Sequence, residues 1–147
     1  MELKLKKTTN KKAAPVIYKI YKKAFTRPFD VKVTRIKYVL DYLKDCATYL
    51  GYLGEKPVCY FSYKNTGKNT LEVETAGVLP ENQRQGLGKK MMEYLIKLNP
   101  GKTIELVTHP KNVAALKLYL SLGFVITGWK DNFFGDGEPR LTLRRNV

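Results

Sequence analysis

Two glycines one residue apart, Gly86 and Gly88, stand at the start of a segment whose apolar residues recur at helical spacing. Glycine has no Cβ, so the backbone at such a position can lie directly against a ligand. A helix start also presents unpaired backbone N–H groups and the positive end of the helix dipole, and both favour a bound anion. Arg84 and Lys89 would add positive charge at the same place. The chemistry indicated here is the binding of a phosphate group.

Two common nucleotide-binding loops do not fit this stretch. A dinucleotide fingerprint needs a third glycine where Met91 stands, and a much tighter junction with the preceding strand. A Walker loop needs a glycine at the position of Gln83 and a serine or threonine at the position of Lys90. The phosphate therefore belongs to another cofactor, or the glycines are only an ordinary loop–helix junction.

The stretch resembles the acetyl-CoA pyrophosphate loop of the GCN5-related N-acetyltransferase (GNAT) superfamily. In that family a central strand ends in V-x-P and leads to Q/R-x-x-G-x-G/A at a helix start. This chain reads VLP at residues 78–80 and QRQGLG at residues 83–88. A second segment, NVAALKLY at residues 112–119 followed by LGF at 122–124, is similar to the family's N-x-x-A-x-x-L-Y…GF segment. Two motifs in the right order are more specific than either alone.

The resemblance, which covers nearly the whole chain, implies an acetyl-CoA-dependent N-acetyltransferase without a metal. An acetyl group would move to a primary amine by direct attack on the thioester, and the acceptor is not identified. The amides of Val78 and Leu79 would hold the pantetheine arm and the thioester carbonyl, Asn112 would bind the arm, and Tyr119 would protonate the departing thiolate as general acid. The implied cofactor-binding residues are Val78, Leu79, Gln83, Arg84, Gln85, Gly86, Leu87, Gly88, Lys89, Asn112, Ala115 and Tyr119.

Asn112 and Tyr119 also have plainer interpretations. Asn112 could be only the cap of the helix that follows Pro110, and Tyr119 is one of ten tyrosines and could be a core side chain. The two residues are seven positions apart, which is two helical turns or roughly 10 Å, and so share one face. This shared face favours the functional roles.

The reaction also needs a proton acceptor, because an amine attacks a thioester only in its neutral form. Glu72 and Glu74 are two apart on the predicted central strand and so face the same side. Either could be the base, directly or through water, or both could be solvated surface residues. His109, the single histidine, is a weaker candidate. One branch of the family modifies ribosomal N-termini and has a glutamate where this chain has Val107, which argues against that branch.

Composition limits the class of protein. A chain of 147 residues that is 44% hydrophobic predicts one domain over residues 1–147. It shows no apolar run long enough to cross a membrane and no signal peptide, so we expect a soluble cytoplasmic protein, either monomer or homodimer. Cys46 and Cys59 lack a metal-binding spacing and are expected to pack as reduced thiols.

The net charge leaves a second function open. Twenty-seven Lys and Arg residues against thirteen Asp and Glu residues give a net charge of +14, which favours an anionic partner. The alternative is a catalytically silent GNAT-like domain that binds RNA or the ribosome through its basic surface. Since the chain lacks the aromatic and basic signatures of RNA-recognition modules, a nucleic-acid partner is possible but not favoured.

The elements that must position these residues follow from periodicity and turn signals. Strands are predicted at residues 2–7, 48–53, 58–63, 71–78, 104–108, 123–127 and 141–143, and helices at 13–25, 34–46, 87–98 and 113–122. Pro15 would lie in the first turn of its helix, and Gly77 would mark a β-bulge. This order indicates an α+β fold. With the resemblance, it implies a single mixed, mostly antiparallel central sheet with helices on both faces.

The acceptor side has fewer signals. In the family, the loop at residues 131–139 and the first two helices would line it. Asp131, Asp136 and Glu138 in this loop could attract a cationic amine, or could simply be solvated.

Overall fold

The computed structural model describes all 147 residues and contains seven strands and four α-helices. The strands are β1 (Leu3–Thr8), β2 (Ala47–Leu53), β3 (Lys56–Gly67), β4 (Thr70–Val78), β5 (Thr103–Thr108), β6 (Val125–Lys130) and β7 (Arg140–Arg145). The helices are α1 (Asn10–Ala24), α2 (Ile36–Leu43), α3 (Leu87–Leu98) and α4 (Val113–Ser121). A short 3-10 turn, Pro80–Asn82, leads from β4 towards α3.

The strands form one sheet in the order β1-β2-β3-β4-β5-β7-β6. The pair β4–β5 is parallel and every other pair is antiparallel, which confirms the mixed, mostly antiparallel sheet. Two neighbouring residues of β2 show helices on both faces. Thr48 Oγ1 bonds to Asn10 Oδ1 of α1 at 2.6 Å, whereas the Tyr49 ring packs edge-on against Tyr94 of α3 with centroids 5.8 Å apart.

Helix α1 begins three residues before the predicted start. The Thr9 hydroxyl caps it by accepting a hydrogen bond from the Lys12 amide at 3.3 Å. Pro15 therefore lies inside the helix and not in its first turn, so the expected position of Pro15 was wrong. The helix ends at Ala24, before Arg27 and Pro28 as predicted.

Other boundaries differ where pairing or backbone conformation decides them. Helix α2 is shorter than predicted because Lys44 is extended and Asp45 has a φ of 64°. Strand β3 continues to Gly67 because its partner β4 continues beside it. Strand β6 extends to Lys130, which pairs with Arg140.

One hydrophobic cluster joins both helical layers to the sheet. Cys59 is buried in it and Cys46 is half-buried, and neither forms a disulfide. Burial raises the pKa of the Cys59 thiol to about 12, so it packs as an unreactive side chain. None of the helices combines the length and the apolar composition that crossing a bilayer requires.

Candidate functional site

A gap opens between the two central strands. Strands β4 and β5 pair only through residues Thr70–Glu72 and Thr103–Glu105. Beyond Glu72, β5 pairs only with β7, while β4 remains paired only with β3. From that point the edge of β4 that faced β5 has no partner strand, and its backbone N–H groups are available to a ligand.

Two amides of β4 face this gap. The Leu79 amide donates to the carbonyl of Val58 at 2.8 Å and is therefore not available for the role expected of it. Because backbone groups alternate between the two edges of a strand, the amide of Val78 points to the gap, and so does that of Ala76. Sequence reasoning missed Ala76, although the same alternation could have identified it.

The bulge in β4 lies at Glu74 and not at Gly77. Tyr63 pairs with Val73 and Ser62 pairs with Thr75, which leaves Glu74 as the extra residue. Gly77 pairs regularly, but a Cβ there would lie 2.9 Å from the Tyr60 ring and 3.0 Å from the Phe25 ring. The expected bulge at Gly77 was therefore wrong, and packing against two rings accounts for the glycine.

The loop between the 3-10 turn and α3 forms a cradle of backbone N–H groups. Arg84 and Gly86 have left-handed conformations, with φ of 62° and 79°. The amides of residues 84–89 donate no hydrogen bond within the protein, and the ladder of α3 begins with Lys90 donating to the carbonyl of Gly86 at 3.1 Å. Consecutive free amides at a helix start bind anions, and this cradle adds the exposed cations Arg84 and Lys89.

Two glutamine side chains, one just before the cradle and one within it, hold it in place. Gln83 Nε2 donates to the Val78 carbonyl at 3.0 Å, and Gln85 Nε2 donates to the Glu81 carbonyl at 3.3 Å. The backbone amide of Gln83 is also used, by the Pro80 carbonyl at 3.2 Å. Leu87 is buried in the core. These two glutamines therefore brace the loop, and the free donors begin one residue later than expected, at residue 84.

The two cradle glycines have different reasons to be glycine. Gly86 needs its positive φ, and the space around it is open. Gly88 has an ordinary φ, but a Cβ there would lie 3.2 Å from Leu118 Cδ2 of α4. Its missing side chain lets α4 approach the start of α3, so the cradle and α4 lie side by side.

Asn112 caps α4, because its Oδ1 accepts a hydrogen bond from the Ala115 amide at 3.3 Å. The cap interpretation is therefore confirmed. The Asn112 Nδ2 group donates no hydrogen bond within the protein, so the same side chain can cap the helix and still donate to a ligand carbonyl.

Tyr119 lies on α4, half-buried, with its ring 5.5 Å from that of Phe124. Burial raises the pKa of its hydroxyl to about 12, so the group is protonated at neutral pH. Its neighbour Leu118 is the residue that a Cβ at Gly88 would meet, so Tyr119 lies on the helix that packs beside the cradle.

The structure distinguishes the two glutamates of β4. Glu72 still stands where β4 pairs with β5, opposite Glu105. Glu74 lies past that pairing, and its carboxylate is 3.8 Å from Lys64 Nζ. Burial raises the pKa of Glu74, the Lys64 charge counteracts part of the rise, and the Glu72 charge adds to it. Glu74 is also nearer to Val78, at four residues or about 13 Å along the strand against about 20 Å for Glu72.

His109 is fixed by its surroundings. Its Nδ1 accepts a hydrogen bond from the Lys111 amide at 3.0 Å, and its Nε2 lies 3.3 Å from Glu138 Oε2. Its ring stacks on Phe29 with centroids 4.1 Å apart, and the side chain is buried. These contacts indicate that His109 braces the segment between α1 and α2.

The acidic residues of the loop at 131–139 are already engaged. Asp136 pairs with the buried Arg140 at 2.9 Å, and Asp131 accepts from Trp129 Nε1 at 2.9 Å. Glu138 faces His109 as described. Asp136 is therefore paired with a full positive charge, whereas the partners of Asp131 and Glu138 are an indole N–H and a histidine ring.

Comparisons with known proteins agree with this geometry. A family model described as "Acetyltransferase (GNAT) family" matches residues 14–124. N-alpha-acetyltransferase RimI from Mycobacterium tuberculosis is 34% identical over 76 residues, which are 51% of this chain and 48% of that protein. The chain thus aligns with about half the length of this relative.

Solved structures share the fold over nearly the full length. Ard1 from Thermoplasma volcanium superposes with a TM-score of 0.85 at 18% identity, covering 100% of this chain and 99% of that one. The ribosomal-protein-S18-alanine N-acetyltransferase from Escherichia coli gives 0.82 at 20% identity, covering 98% and 93%. A GNAT family acetyltransferase from Elizabethkingia anophelis, solved with acetyl-CoA bound, gives 0.79 at 19%, covering 99% and 98%.

Proposed function

Because the chain belongs to the GNAT acetyltransferase family, we propose that it transfers an acetyl group from acetyl-CoA to a primary amine by direct attack of that amine on the thioester. The observation that carries the proposal is the run of free backbone amides at residues 84–89, which lies beside the gap between β4 and β5. The cradle would bind the diphosphate and the gap would take the pantetheine arm. Residues 1–147 would act as one catalytic domain, since a single core cluster joins the sheet and its helices.

Backbone donors would hold the reacting end. The amides of Val78 and Ala76 face the gap, and a donor fixed there would stabilise the negative charge that develops on the thioester oxygen. The free Nδ2 of Asn112 would donate to a carbonyl of the pantetheine arm. Ala115 lies on the same helix face and leaves room for the arm.

Two side chains would handle protons. The nitrogen attacks the thioester carbon, a C–N bond forms, the C–S bond breaks, and the Tyr119 hydroxyl gives its proton to the sulfur. Its pKa of about 12 keeps it protonated until that moment. Glu74 would take the amine's proton through water, because four residues of strand separate it from Val78. Its raised pKa makes it a better base than an ordinary glutamate.

The acceptor we propose is the α-amine of a peptide. An α-amino group has a pKa near 8, against about 10.4 for lysine, so it needs less help from a base that acts through water. In the 131–139 loop, the Asp136 carboxylate is already paired with Arg140 and is therefore not available to a strongly basic side chain. RimI from M. tuberculosis is named as an N-alpha-acetyltransferase, which supports the same class.

Thermal unfolding with ligand fragments tests the cradle. Millimolar CoA should raise the Tm of the protein, whereas pantetheine, which lacks the diphosphate, should not. Gly86→Ala should weaken CoA binding at least tenfold, because its φ of 79° is strained for alanine and the amides around it would move. Gly101→Ala is a matched control, since Gly101 has a φ of 75°, similarly open surroundings, and lies at the other end of α3.

Mass spectrometry of acetylated products tests the acceptor. Peptides with a free N-terminus should gain one acetyl group, and the same peptides with a blocked N-terminus should gain none. In the thermal unfolding experiment, a Tm that does not change when CoA is added would contradict acetyl-CoA binding. Acetylation of lysine in the blocked peptides would contradict the α-amine assignment and leave the transferase proposal standing.

A further inference from the structure

A second basic surface lies on α1, among residues that none of the proposed catalytic steps uses. Lys12, Lys19 and Lys23 are separated by seven and four positions, so they project from one side of the helix. All three are exposed, and together they extend over about 16 Å of helix. The first 23 residues contain eight lysines and one carboxylate residue, Glu2.

Two surface grooves follow this side of α1 from end to end. The first is lined by Lys7, Thr8, Thr9 and Lys12. The second has Lys19, Lys23 and Lys56 among its lining residues, and its floor is apolar, with Val16 and Pro57 partly exposed and Ile20 and Leu79 buried beneath them. We call Lys7, Lys12, Lys19, Lys23 and Lys56 the lysine stripe. None of the cradle residues 84–89 lines either groove, and the second groove meets the end of β4 only at the buried Leu79.

The lysine stripe is almost without counter-charge. Lys56 pairs with Glu81 at 3.4 Å, and both side chains are more than half exposed, so the pair is weak. The other four lysines have no carboxylate within 4.0 Å. Lysines on one helix side repel one another, and a bound polyanion would relieve that repulsion.

The apolar floor indicates which polyanion fits. We propose that the lysine stripe binds single-stranded RNA, with the lysines on the phosphates and the floor of the second groove against unpaired bases. A duplex hides its bases, so it would use the lysines but not the floor. An anionic membrane surface fits less well, because insertion needs large exposed apolar side chains, and α1 has none. No lysine of the stripe has a role in the steps of the proposed acetyl transfer.

Fluorescence anisotropy of a labelled 20-nucleotide oligouridine tests the stripe. The triple variant K12Q/K19Q/K23Q lowers the net charge by three. The matched variant K37Q/K68Q/K97Q lowers it equally, at exposed lysines outside both grooves. The stripe variant should weaken binding at least tenfold at 100 mM salt, and the matched variant less than threefold. With about 0.7 counterions released per single-strand phosphate, the slope of log K against log salt should fall by about two in the stripe variant only.

A second measurement uses the protein without substitutions, so it tests the lysine stripe even if the triple variant does not fold. Chemical acetylation of lysines, mapped by mass spectrometry, should slow at the lysine stripe when the oligouridine is added and remain unchanged at Lys37, Lys68 and Lys97. Equal weakening by both triple variants would overturn the proposal, because it would mean that net charge alone drives binding. Tighter binding of a 20-base-pair duplex, or binding only to vesicles with anionic lipid, would also overturn it. The Tm shift with CoA should be the same in both triple variants.

Discussion

At the residue scale, Tyr119 is the side chain whose loss should separate chemistry from cofactor binding. Tyr119→Phe keeps the ring that packs on Phe124 and removes only the hydroxyl. We expect kcat to fall roughly 10²-fold, the usual contribution of general acid catalysis, with the KM for acetyl-CoA nearly unchanged. Because the hydroxyl has a pKa of about 12, activity should not fall between pH 7 and pH 9 through loss of this proton. Steady-state kinetics of both proteins across this pH range measure these effects. An unchanged kcat in Tyr119→Phe would exclude Tyr119 as the general acid.

Glu74 and Glu72 give a second comparison between neighbouring residues. Glu74→Gln should lower kcat, because Glu74 lies at the bulge beside the gap, whereas Glu72→Gln should have little effect. With Glu74 as base, the acidic limb of kcat against pH should lie above the ordinary glutamate value of 4.5, in the direction of its raised pKa. The limb should disappear in Glu74→Gln. The reverse ranking of the two variants would assign the role to Glu72.

A stability prediction concerns Tyr42, whose buried hydroxyl has no hydrogen-bond partner. An unpartnered buried donor costs roughly 1–3 kcal/mol, so Tyr42→Phe should leave the free energy of unfolding unchanged or raise it. Tyr21→Phe is the matched variant, because the Tyr21 hydroxyl donates to the Val31 carbonyl, and it should lower the free energy by about 1 kcal/mol. Urea unfolding measures both, and a clear loss of stability in Tyr42→Phe would show that its hydroxyl has a partner.

Single residues were predicted well where local chemistry sets their role, and poorly where pairing sets it. The Asn112 cap, which the sequence offered as the alternative to a functional role, is local, since its acceptor lies three residues from the donor. The start of α3 directly after Gly86 is also local. The Leu79 amide could not be assigned correctly, because which edge of β4 it faces depends on its pairing with β3.

At the element scale, the segment between α1 and α2 is tied to the start of β7 by Arg140. This buried side chain donates to the Phe29 carbonyl at 3.0 Å and pairs with Asp136 at 2.9 Å. Arg140→Ala leaves both acceptors without this donor, so we expect a loss of about 2–4 kcal/mol and faster hydrogen exchange at residues 25–35. Arg144→Ala removes an exposed pair with Glu105 at 3.7 Å and should change stability by less than about 0.5 kcal/mol. Equal losses of unfolding free energy in both variants would mean that Arg140 does not hold the segment between α1 and α2 to β7.

Elements with a strong local signal were predicted almost to the residue. Helix α3 has its glycines at one end and Asn99 with Pro100 at the other, and it runs from Leu87 to Leu98 as predicted. The bulge at Glu74 and the gap beyond Glu72 have no such signal. Both arise from how β4 is shared between two partner strands, which periodicity along one strand does not encode.

At the scale of the whole molecule, the net charge of +14 makes stability depend on salt. Exposed lysines repel one another over about 10 Å at 0.1 M salt and over about 30 Å at 0.01 M, so the folded state should gain stability as salt is added. Because Lys12, Lys19 and Lys23 share one side of α1, K12Q/K19Q/K23Q should raise the Tm at 10 mM salt more than K37Q/K68Q/K97Q does. The difference between the two variants should vanish near 1 M salt, where screening is nearly complete. A difference that persists at 1 M would mean that these substitutions act through helix propensity and not through charge.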